Sequence, residues 1–302
     1  MPEITLTEVS DALEDEDLMD MVNAGIIGII VVDDWKVRLW ARILKNLQLH
    51  ENIQIAEEGN SGWAFRENNP LLAAEINQFI AETGHAEKYS RRLATYQRRI
   101  RALKNPTTEA DWQRFETTID LFKTYGERYS FDYLMVAAQG FQESGLNQEA
   151  RSPAGAVGIM QLLPSTGKEL SVGDIYLAEP NVHGGIKYMR YLIERHFSHA
   201  DFDETNRTLF AFAAYNAGAA RVARLRREAE KAGMNPNQWF NNVELIAAKR
   251  IGQETVGYVR NIYKYYTAYK LQLATLEARR TALRKALQEA QQQSEDMKDI
   301  VR

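Results

Sequence analysis

"FQESGLNQEARSPAGAVGIMQ", Phe141 to Gln161, runs from an apolar helical pattern into a glycine-studded loop, with Glu143 at the exit. At 100° per residue, Phe131, Leu134, Met135, Ala138 and Phe141 fall on one stripe, which predicts a docked helix over 131–144. Glu143 lies off that stripe, on a face shared with Val136, Gln139 and Gly140, where Gly140 leaves room for something to approach. Gly145 terminates the helix, so Glu143 sits in the last turn. There the negative end of the helix dipole, aided by partial desolvation, should raise the carboxyl pKa. A general acid working near neutral pH needs such a shift. Taken alone, the pattern also fits an ordinary solvated glutamate, which is common at helix ends.

The loop narrows the choice. Ser152-Pro153 opens a turn, Gly155 and Gly158 permit backbone shapes closed to other residues, and "GIMQLLP" returns Gln161 to the core between Met160 and Leu162. Two later stretches add to it. "FAAYNAGAARV" puts Tyr215 and Asn216 at another helix end, where an exposed amide beside a ring suits an acetamido sugar. "GQETVGYVRNIYKYY" sets Glu254 and Tyr258 at i, i+4 on one face of a late helix.

The rest of the chain frames this region. A length of 302 residues allows two domains. The longest apolar run, "GIIGIIVV" at 25–32, suits a buried strand and is too short to cross a membrane. The N-terminus lacks the basic-then-apolar order of a secretory signal, consistent with a cytoplasmic protein or with a mature or trimmed form. With no cysteine, disulfides and thiolate metal sites are excluded. A net charge of −4 gives no overall attraction to nucleic acid.

Residues 1–85 read as a partial α/β unit, with strands expected at 25–32, 52–57 and 63–66 and a helix at 69–83. A charged helical connector follows over 86–124. Its run Lys88–Lys104 holds seven cations and no acid, and reads as a solvated face or as a contact for an envelope polymer or lipid headgroups. Thr107 or Thr108 can cap the next helix. Helices are expected at 112–125, 131–144, 181–197 (capped by Asn181), 206–215, 219–232, 241–250 and 254–273. The charged tail over 271–302 reads as a frayed or partner-bound helix. His183 is assigned a local hydrogen bond.

In order, Glu143-Ser144, Ser152, Gly158-Ile159-Met160-Gln161, Ala214-Tyr215-Asn216 and Glu254-Thr255 with Tyr258 resemble the motif series of the soluble-lytic-transglycosylase family, the goose-lysozyme-like enzymes of peptidoglycan. The resemblance covers 125–270 and implies a mainly α, lysozyme-like catalytic domain. The N-terminal stretch is similar to the last third of a periplasmic solute-binding domain, and the pairing resembles the membrane-bound, F-type branch of the family. That pattern would place a signal and most of the binding domain before Met1, with the full-length form in the periplasm or envelope, associated with the outer membrane.

The resemblance further implies that Glu143 protonates the β-1,4 glycosidic oxygen between N-acetylmuramic acid and N-acetylglucosamine. The substrate's acetamido group then acts as nucleophile, and Glu143 takes the C6 hydroxyl proton to close a 1,6-anhydro ring. Ser152, Gly158, Met160, Gln161, Tyr215, Asn216, Glu254 and Tyr258 would bind or position the sugars. Glu254 would orient Tyr258 or the loop. No cofactor or metal is implied, and the partner is the glycan strand, with envelope-protein or membrane contacts through the connector or the tail. Three rivals remain: a muramidase using water, a wall-binding protein with an inactive site, and metal-dependent hydrolysis through His196 and His199.

Overall fold

The computed structural model describes residues 7–53, 66, 68–82 and 103–300, and every regular element among them is helical. Two compact units emerge: 14–104, and 1–13 with 105–302.

In the smaller unit, α1 (Asp15–Asn23) begins where the Asp17 carboxylate accepts from the Glu14 backbone N–H at 3.1 Å. Met19 and Met21 are fully buried. Met19 forms a small core with Val37 of α2 (Asp34–Trp40) and Leu44, and Ile30, Val32 and Ile43 pack around it. The strand expected at 25–32 does not form. Its alternation is present, because Ile30 and Val32 face the core while Ile29 and Val31 are 90% and 60% exposed. Among the described residues no second strand takes up its backbone groups, and a ladder needs that partner. Of the segments 52–57 and 63–66, only Asn52, Ile53 and Arg66 are described, and none is in a strand; the others lie outside the described residues, as do 88–102 of the basic run. The helix expected near 69–83 is α3 (Pro70–Glu82).

The larger unit opens with α4 (Glu109–Tyr129), capped by the Thr108 hydroxyl, which accepts from Asp111 N at 3.3 Å. Next comes α5 (Tyr133–Ser144), whose cap Asp132 accepts from Leu134 N and from the Tyr266 hydroxyl. A one-sided stripe was expected on α5. Instead all eight residues from Leu134 to Phe141 are buried, so the helix is central. It packs between α4 and α11 (Gln253–Ile300). Phe115 of α4 stacks on Tyr269 of α11 at 4.3 Å, and Phe141 meets Tyr265 edge-on at 4.8 Å. Gly140 does not leave an opening either. A Cβ there would lie 2.9 Å from Phe122 and 3.1 Å from Ile159, so the space is filled by a helix and a loop.

The remaining helices are α6 (Pro164–Leu170), α7 (Ala178–His196), α8 (Glu204–Ala217), α9 (Ala219–Lys231) and α10 (Glu244–Ile251). Pro164 starts α6, an element that the apolar pattern did not announce. Leu177 precedes α7, so Asn181 is not its cap; it lies inside the helix, fully buried. His183 does make a local bond, 2.8 Å from the Tyr129 hydroxyl, and it stacks on Tyr125. The helix expected over 254–273 continues unbroken to Ile300, with Leu283 and Leu287 exposed.

Candidate active site

Glu143 occupies the last turn of α5, closed by Gly145 at φ 66°. Because the helix beneath it is buried on all sides, the carboxyl is partly buried as well. Desolvation pushes its pKa up to about 7 from 4.5, opposed by a hydrogen bond from Tyr258. No neighbouring carboxylate is among the causes of that shift. Tyr258, on the first turns of α11, donates its hydroxyl proton to Glu143 Oε1 at 2.5 Å. The Tyr258 oxygen accepts from Gln139 Nε2 at 3.2 Å. Burial and the Glu143 charge hold the Tyr258 phenol far above its usual range.

Tyr215, near the end of α8, feels the same charge, and its pKa is raised well above normal chiefly by burial. Its hydroxyl donates to the Met160 carbonyl at 2.7 Å. Tyr188 meets the Tyr215 ring edge-on at 5.4 Å. Neighbouring Asn216 is exposed, and its Oδ1 accepts from the Thr255 hydroxyl at 2.8 Å, which leaves the amide NH2 outward as a donor.

The loop between α5 and α6 owes its shape to side chains. Ser144 lies 2.9 Å from the Ile159 carbonyl and accepts from Asn147 N at 3.1 Å. Asn181 reaches in from α7: Oδ1 accepts from Met160 N at 2.8 Å, and Nδ2 donates to Val157 and Ile175 carbonyls at 2.8 and 3.0 Å. Gly158 is required beside it. Its φ is 77°, and a Cβ would lie 2.5 Å from Asn181 Nδ2.

Other candidates take different places. Ser152 Oγ accepts from Ala156 N at 3.0 Å, closing its own turn. Gln161, at φ 46°, donates to the Gly158 carbonyl at 2.9 Å within the loop. The Met160 side chain is fully buried under Gly185, so only its backbone reaches this neighbourhood. Glu254 is exposed, and the Tyr258 hydroxyl is oriented by Gln139 and Glu143 instead. From sequence Gln139 has no role, and Asn181 is expected only as a helix cap. For Gln139 the signal was a lone amide in "LMVAAQGF", four residues before the acid on the same helical face. His196 and His199 are exposed, and among the described residues no group of three potential ligands could hold a metal. A cavity of about 270 Å³ beside Arg226, Asp201 and Asn237 is lined by His199 but by none of the residues grouped around Glu143.

Comparison with known proteins bears on this geometry. Residues 120–238 match the family described as the transglycosylase SLT domain. Over 276 residues the chain is 30% identical to a protein named membrane-bound lytic murein transglycosylase F from Desulfosudis oleivorans, covering 84% of this chain and 59% of that one. The identically named protein of Vibrio campbellii is 29% identical, covering 88% and 52%. The chain thus spans between about half and three-fifths of these relatives' length. Among solved structures, the 70 kDa soluble lytic transglycosylase of Escherichia coli aligns with 51% of this chain and 24% of its own, at 25% identity and a TM-score of 0.40.

Proposed function

We propose that this chain, whose residues 120–238 match the transglycosylase SLT domain, is a peptidoglycan lytic transglycosylase that cleaves the β-1,4 bond between N-acetylmuramic acid and N-acetylglucosamine. The carrying observation is the state of Glu143: a single carboxyl, desolvated to a pKa of about 7, with one oxygen held by Tyr258. Near neutral pH such a group can give up a proton and take one back.

Glu143 gives its proton to the glycosidic oxygen as the bond to C1 of the muramic sugar breaks. The sugar's acetamido oxygen forms a bond to C1 and carries the positive charge. The ionised Glu143 then removes the proton of the C6 hydroxyl, O6 bonds to C1, the acetamido oxygen leaves, and the acid is restored with no water consumed. An ordinary retaining or inverting glycosidase uses a second carboxylate. The origin of the Glu143 shift in burial, without a neighbouring acid, favours the substrate-assisted route. A tethered hydroxyl also reacts at an effective concentration far above that of a free one.

Tyr258 stabilises the charge on Glu143, and the outward amide of Asn216 donates to a sugar carbonyl. Tyr215 fixes the Met160 backbone against the sugar-binding face. Ser152, Gln161 and Glu254 line the approach of the strand. The name carried by the relatives supports action in the periplasm or envelope. Glu143→Gln should abolish release of anhydro-muropeptides from purified sacculi, read by mass spectrometry. Undiminished release by that variant refutes the assignment, reducible muramic ends identify a water-using muramidase, and no release by the unaltered protein identifies an inactive wall binder.

A further inference from the structure

Gln139 is fully buried in the middle of an apolar helix, a place where an amide costs stability unless both ends are satisfied. Only one end is. Nε2 donates to the Tyr258 oxygen, while Oε1 has no hydrogen-bond partner among the described residues. The arrangement is therefore not explained by packing.

Its consequence is the direction of a short chain of hydrogen bonds. Because Gln139 donates to the Tyr258 oxygen, the phenol's single proton is left for Glu143 Oε1. Oε1, already receiving that proton, is a poor place for a second. The proton that Glu143 exchanges is thus confined to Oε2, the oxygen with no partner among the described residues. With an apolar residue at 139 the Tyr258 oxygen would be free to accept. Glu143 could then turn its acidic proton inward onto Tyr258, away from the sugar.

We propose that Gln139 is a positioning residue that fixes Tyr258 as a donor and so keeps the transferable proton of Glu143 on its substrate-facing oxygen. This deepens the transglycosylase reading and rests on it for its meaning in catalysis. The groups that could otherwise set the proton affinity of Glu143 are few. Tyr258 faces it from α11 and Tyr215 from α8. On α4, Arg114 pairs with Asp111 at 3.2 Å and donates to the Gly145 carbonyl at 3.4 Å. In the loop, Glu149 and Arg151 lie 3.8 Å apart as an exposed pair, and Glu254 is exposed at the start of α11. Of these, only the Tyr258 hydrogen bond contributes to the shift on Glu143.

The test is a carboxyl titration of the full chain by NMR with ¹³C-labelled glutamate, the Glu143 signal being assigned by its loss in Glu143→Gln. In Gln139→Met the Glu143 midpoint should move up by roughly 0.5–1 unit, the size one lost hydrogen bond supports. Tyr258→Phe should also raise it, and adding Gln139→Met to that variant should change nothing more. On sacculi, Gln139→Met should lower kcat roughly tenfold with KM unchanged. An unmoved midpoint in Gln139→Met overturns the proposal, as does a further shift when Gln139→Met is added to Tyr258→Phe. Should Gln139→Met not fold, an unmoved midpoint in Tyr258→Phe alone overturns it. Because the titration reads Glu143 directly, absence of anhydro products from the unaltered protein would refute the activity and leave the titration to decide the chain.

Discussion

Replacing the acid should make the protein more stable, but only at high pH. Burial raises Glu143 from 4.5 to about 7, so between those values the folded chain binds more protons than the unfolded one. The stability that the protonated carboxyl permits is fully present below pH 4.5 and is lost as pH rises through about 7. Each pKa unit corresponds to about 1.36 kcal/mol, so the full shift is about 3.4 kcal/mol, and with solvent screening of a partly exposed carboxyl the cost of holding the ionised group is about 2–3 kcal/mol. Glu143→Gln has nearly the same volume and keeps an oxygen for the Tyr258 hydroxyl, but it cannot ionise. It should match the parent near pH 4.5 and exceed it by about 2–3 kcal/mol at pH 8.5, a melting shift of roughly 5–10 °C. Urea unfolding followed by circular dichroism at both pH values measures the difference. A gap of the same size at both values, or a parent more stable at pH 8.5, would refute the account of Glu143 as a desolvated acid.

The same pKa gives the rate its pH dependence: kcat/KM on sacculi should fall as pH rises through about 7, because the proton donor is then lost. Asn181→Ala leaves the Met160 N–H buried without a partner and takes one of two donors from the Val157 carbonyl, which keeps the Leu162 N–H. At about 1–3 kcal/mol for one orphaned group, the loss in denaturant unfolding should be roughly 1–3 kcal/mol. Gly185→Ala sets a methyl 2.6 Å from Met160 Cβ and should cost about 1–3 kcal/mol in the same assay, with reduced turnover from a displaced loop.

The chemistry was more legible in the sequence than the packing. Glu143 at a helix end followed by Gly145, and Tyr258 early in a later helix, follow from 3.6-residue spacing and helix stop signals, and the two side chains meet. What spacing cannot supply is the partner of a buried polar group. Asn181 reads as a cap because asparagine favours caps, whereas tertiary packing puts it inside α7 to hold a loop some twenty residues earlier in the chain. Gly140 reads as an opening because a missing side chain does not say what fills the space. The strand at 25–32 failed for a related reason: alternation marks which residues turn inward, but a ladder also needs a second chain segment.

A helix enclosed on every side, as α5 is from Leu134 to Phe141, cannot roll or slide without opening the whole interior. The carboxyl at its tip therefore has one fixed address, and adjustment to whatever binds beside it falls to the surrounding loop and to the exposed end of α8 and start of α11. Amide hydrogens of α5 should then exchange only when the entire unit unfolds, which makes the helix carrying Glu143 part of the last segment to come apart.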